Sequence, residues 1–162
     1  MATTNNIAVI EGYASVFGVP DLNGDRVRRG AFTNILIPAR RNRVKMLYQH
    51  AADRPIGYWR EMRETAHGLF VRGEIILDSA HGQEVATLIE AGALDGLSIG
   101  FRTRAARKIK GGRELTLVDL WEISVVTFPM APGARITRIT MPPKPGGKTA
   151  TLLRDAALQL AS

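Results

Sequence analysis

Apolar positions in this chain come in short runs, and their period is mostly two. IAVIEGYASVFG, from Ile7 to Gly18, alternates as a strand with one half-buried face does. The PDLNGD that follows is a turn by its Pro, Asn-Gly and Asp content. RVKMLYQH predicts a second strand, with Val44, Met46 and Tyr48 on one face and Lys45, Leu47 and Gln49 on the other; AADRPIG reads as the loop after it. IGYWREMRET and GLFVRGEIIL predict two strands joined by a turn from Thr65 to Gly68. The period changes in SAHGQEVATLIEAGAL, where Val85, Leu88 and Ile89 recur at helical spacing. Ser79 is placed to cap that helix and Gly92 to stop it. LDGLSIGFRTRAARKI then runs β-like into a turn at Gly111 and Gly112. ELTLVDLWEISVVTFP, rich in β-branched and aromatic residues, predicts a long central strand.

These elements make one β-rich α+β domain over residues 1–141 with a single clear helix. Residues 142–148 form a Pro/Gly-rich linker, and residues 149–162 predict an amphipathic tail helix too short to be stable alone. A length of 162 residues suits one domain with a real core, and no internal repeat is visible.

Composition narrows the chemistry. The chain holds no cysteine, which excludes disulfides, thiolate metal sites and a Cys nucleophile. No apolar run approaches a membrane span, and the opening MATTNNIAVIEG is not a signal peptide. The net charge of +7 is concentrated in two stretches. From Arg26 to Lys45 every charged residue is basic (Arg26, Arg28, Arg29, Arg40, Arg41, Arg43, Lys45). From Arg102 to Arg113 the same is true. Aromatics are only 6% and are not interleaved with these bases, so a base-stacking platform for nucleic acid is not supported. Solvated faces, or docking to an acidic protein, account for the charge better.

Three histidines are present. His67 sits in a turn and His81 in the first turn of the helix, where both read as exposed. His50 ends an apolar strand at the mouth of a loop, which is where active-site groups tend to lie. A nucleophilic serine needs such a base and a third group to orient it. Ser98, in GLSIG, is the best-placed serine, because Gly96 and Gly100 let backbone and substrate come close. Ser15 and Ser124 read as structural, Ser79 as a cap. For the orienting acid, Glu122 is a lone carboxylate in an apolar β run, with Asp119 as the competitor three residues earlier. GLSIG is not the nucleophile elbow of α/β-hydrolases, since Ser98 follows a helix and leads into a β-like run. No metal-ligand set appears, DLNGD lacks the Glu that would complete a calcium loop, and no cofactor motif is present.

In order along residues 7–139, GYASVFGVPDLNGDRVRRGAF, VKMLYQHAADRPIG, GLFVRGEI, EAGALDGLSIGF and DLWEISVVTFPMAPGARI resemble the prohead protease family of tailed phages, which also serves prophages and gene transfer agents. The resemblance implies a serine endopeptidase related to the herpesvirus capsid assembly protease, with a compact β-barrel core and a few surrounding helices. It places the base at His50, the nucleophile at Ser98 and an acid at Glu122, with Asp119 still open as the alternative. No histidine follows His81, so a His-His-Ser version is excluded. The family's P-A-N-P-like segment reads PMAPGA here, without the Asn. The implied substrates are the scaffold, or the scaffolding segment of the major capsid protein, and the enzyme itself, inside the procapsid assembling in the host cytoplasm. Self-association is implied as well. The competing reading is a catalytically silent assembly or scaffolding protein, or a basic packaging factor.

Overall fold

The computed structural model describes residues 6–143. All but the first two residues of the expected linker, and the whole expected tail helix, lie outside them. Eight strands form one sheet: β1 (Ile7–Val16), β2 (Arg26–Val27), β3 (Lys45–Tyr48), β4 (Ala51–Glu64), β5 (Gly68–Ile76), β6 (Gly96–Ile109), β7 (Gly112–Val126) and β8 (Ile136–Thr140). Two helices accompany them, α1 (Pro38–Arg41) and α2 (Ala80–Glu90), with a 3-10 turn at Thr33–Ile35.

The long strands β6 and β7 form an antiparallel hairpin along their whole lengths. That occupies one edge of β7, so its other edge takes β2 near its start and β3 near its end, both parallel. From β3 the sheet continues antiparallel through β4, β5 and β1 to β8. It therefore curls round until β1 approaches β6, yet those two strands form no ladder among the described residues. The β-rich class holds, and the barrel is open at one seam. One end of the seam is pinned by the segment before β8. There Leu97 N–H donates to Ala134 O, Tyr13 N–H to Arg135 O and Ile136 N–H to Asp95 O.

The core inside this curl contains Ile10, Phe32, Met46, Leu69, Leu97 and Ile123, all essentially fully buried. Helix α2 lays Val85, Ala86 and Ile89 against it. Ser79 caps that helix by accepting from Gly82 N–H at 2.9 Å. Gly92 at φ +74 ends it, with Gly92 N–H on Ile89 O and Ala93 N–H on Leu88 O. This is the paired hydrogen-bond pattern of a glycine helix stop.

On β3, Met46 and Leu47 are both buried, so each face of that strand is covered. Two local expectations change. AADRPIG is the start of β4 and not a loop: irregular pairing, with Leu47 opposite Pro55 and Tyr48 opposite Ala51, accommodates the proline without breaking the strand. His50 lies in a hairpin turn and not at a strand end. Gln49 (φ 53) and His50 (φ 58) link Tyr48 to Ala51, and a two-residue turn that closes a twisted hairpin requires this doubled positive φ.

Candidate active site

The register of the β6–β7 hairpin decides which side chains meet. Ser98 stands directly opposite Ser124, and Gly100 directly opposite Glu122, so the four share one face. The neighbouring strand β3 aligns Lys45 with Glu122 and Leu47 with Ser124, and the turn after it brings His50 over the same patch.

His50 Nδ1 lies 2.5 Å from Glu122 Oε1. A carboxylate only accepts, so Nδ1 is the donor in this contact and Nε2 is left facing away from it. Ser124 Oγ donates to Glu122 Oε2 at 2.6 Å and accepts from His50 N–H at 3.1 Å. One hydroxyl thus fixes both the carboxylate and the backbone of the histidine. Gln49 adds a second brace, its amide nitrogen donating to Thr127 Oγ1 at 2.7 Å and its backbone N–H to Val125 O at 2.9 Å. Glu122 is largely buried, with 14% of its side chain exposed, while His50 is 43% exposed.

Ser98 is 3% exposed, and its hydroxyl has no hydrogen-bond partner among the described residues. It lines a cavity of about 350 Å³ in the seam where β1 and β6 fail to pair. Ala14 and Val16 of β1 face Leu97, Ile99 and Phe101 of β6 there, with Asp25 and Arg113 at the polar end. Arg113 holds Asp25 through two hydrogen bonds, 3.0 Å and 2.6 Å, and these keep that carboxyl below its ordinary pKa against the opposing effect of burial.

The flanking glycines also have a reason within the fold. A methyl at Gly100 would collide with Glu122 Oε1, so this glycine makes room for the carboxylate. A methyl at Gly96 would meet Val126 O and Pro129 Cδ. Of the two acids, Glu122 reaches His50, whereas Asp119 lies 3.4 Å from Arg104 Nε on the far side of a bulge. His81 is exposed at the start of α2, and His67 packs edge-on against Tyr13. Ser124, read from the sequence as structural, is the residue whose importance was missed. Its signal was its place two residues after Glu122, on the same face of a strand.

This β-rich fold resembles those of solved viral proteases. The structure of the bacteriophage T4 capsid assembly protease matches with a TM-score of 0.55 at 17% identity, over 75% of this chain and 82% of that one. The protease of Kaposi's sarcoma herpesvirus, solved with a hexapeptide phosphonate inhibitor, matches at 0.54 and 13%, over 93% and 76%. These likenesses are of fold. The chain belongs to the caudovirus prohead serine protease family, whose family model matches residues 1–144. It is 35% identical over 125 residues to the prohead protease of Enterobacteria phage HK97, covering 75% of this chain and 55% of that protein. It is 32% identical over 140 residues to the capsid polyprotein of Pseudomonas phage PAJU2, covering 81% and 20%. The chain thus spans about half the length of the first of these relatives and a fifth of the second.

Proposed function

We propose that this chain is a capsid-maturation serine endopeptidase in which Ser98 is the nucleophile, His50 the general base and Glu122 the orienting acid. The observation that carries the reading is the cross-strand register. It sets an unpartnered, cavity-lining Ser98 hydroxyl beside the Ser124 that braces His50 and Glu122. His50 Nε2 takes the proton from Ser98 Oγ as that oxygen attacks the scissile carbonyl. The same nitrogen returns the proton to the leaving amine, and water then repeats the sequence on the acyl-enzyme. Glu122 holds the imidazole with Nδ1 protonated and stabilises the imidazolium that forms. Catalytic hydrogen bonds in unliganded enzymes are often open and close in the substrate complex, which fits the free Ser98 hydroxyl.

The seam explains how a protein chain reaches the serine. Beyond Leu97, β6 pairs with β7 alone among the described residues, so its other edge leaves backbone donors and acceptors for an extended peptide. Family membership supports substrates within the prohead: scaffold, or the scaffolding segment of the major capsid protein, and the protease itself, cut inside the procapsid in the host cytoplasm. The likeness to a capsid polyprotein is consistent with that setting. Self-association belongs to the same reading.

A fluorophosphonate applied to assembling particles tests the nucleophile. Peptide mass analysis is expected to place the adduct on Ser98 and to lose it in His50→Ala. An adduct on another serine overturns the assignment.

A further inference from the structure

On β7 the residue between Leu120 and Glu122 has no partner on β6, because Phe101 pairs with Leu120 and Gly100 with Glu122. That bulged residue is Trp121, and 61% of it is exposed. The only other tryptophan, Trp59, is 4% exposed. Trp121 forms one wall of a groove of about 530 Å³, floored by the buried Ile35 and Leu120. Its rim carries Arg40, Arg43 and Arg104, with Asp119 beside them. Arg104 is engaged by Asp119, while neither Arg40 nor Arg43 pairs with a carboxylate among the described residues. The groove shares no lining residue with the Ser98 cavity.

We propose that this groove docks an acidic peptide segment of a protein partner. The segment would place an apolar side chain against Trp121 and carboxylates on Arg40 and Arg43. Charge complementarity argues for it: the rim carries a net cationic charge in a chain whose whole balance is +7. An exposed aromatic flanked by arginines is the composition of an interface anchor. A peptide fits better than nucleic acid because a single indole offers no succession of stacking surfaces. The inference stands on the groove alone and holds whatever Ser98 does. If Ser98 is the nucleophile, a segment held here would raise the local concentration of a scissile bond on the same partner.

The test measures fluorescence anisotropy of a labelled Glu-Glu-Leu repeat peptide titrated with the full chain carrying Ser98→Ala, so that no peptide is consumed. Saturable binding is expected, weakening with added salt and accompanied by a change in Trp121 emission. Arg40→Gln with Arg43→Gln, both exposed, is expected to weaken binding about tenfold. Lys108→Gln with Lys110→Gln removes the same charge elsewhere on the surface and is expected to change it less than about twofold. Absence of saturable binding overturns the proposal. So does equal weakening by the two double variants, or tighter binding of a single-stranded oligonucleotide of matched charge.

Discussion

Ser124 is fully buried, and its hydroxyl serves His50 N–H and Glu122 Oε2 at once. The string WEISVV shows only the two-residue spacing that puts Ser124 on the face of Glu122; its other partner comes from another strand's turn. His50, Ser98 and Glu122 could be picked out one by one, as a titratable group beside a loop, a serine among glycines and a carboxylate in an apolar run. Their choice over rivals could not, because it depends on register. A bulge at Trp121 is what turns Asp119 toward Arg104 and leaves Glu122 to His50. Proteolytic kcat/KM on a capsid precursor should therefore fall by about three powers of ten in Glu122→Gln and stay within about twofold in Asp119→Asn. Gly100→Ala should imitate the first, since its methyl displaces the carboxylate while a flexible side chain absorbs the clash. Loss confined to Asp119→Asn would make Asp119 the orienting acid and overturn the role given to Glu122.

At the scale of elements, long and regular segments were legible and short ones were not. Helix α2 carries a cap, an apolar stripe and a glycine stop, all local to it. Strand β7 shows in its β-branched and aromatic composition, and β6 as the β-like run leading into the turn at Gly111 and Gly112. By contrast β2 has two residues and α1 four, too few for any period to register. The start of β4 was hidden by Pro55, which an irregular ladder tolerates. The turn after β1 looked like a simple reversal, yet it staples the far end of the β6–β7 hairpin through Asp25 and Arg113. The folded pKa of Asp25 is lowered, so its contribution to stability is present above the ordinary carboxylate range and is lost as pH falls through the lowered value. Asp25→Asn should lower the Tm by about 5 °C at pH 7. In thermal melts across pH, its difference from the parent chain should close below about pH 4. A gap unchanged at pH 3 would show that the pair is not the staple.

Across the whole molecule, the β-rich class followed from the period of the apolar residues, but the open seam did not. The seam exists because β1 spends its two edges on β5 and β8, leaving β6 without a second full partner. No pattern within β1 or β6 announces that omission, and the cavity beside Ser98 is its consequence. The same fold brings the two basic stretches together, with Arg40 and Arg43 of the first and Arg104 of the second converging at Trp121. On the proposed reading, Ser98 in this seam cuts capsid-precursor proteins. Co-expression of the chain with its capsid protein and scaffold, followed by intact-mass analysis of the particles, tests it most directly. The account predicts shortened capsid or scaffold chains with the parent sequence and only full-length chains with Ser98→Ala, whose fold should be intact. Equal processing by both would contradict it.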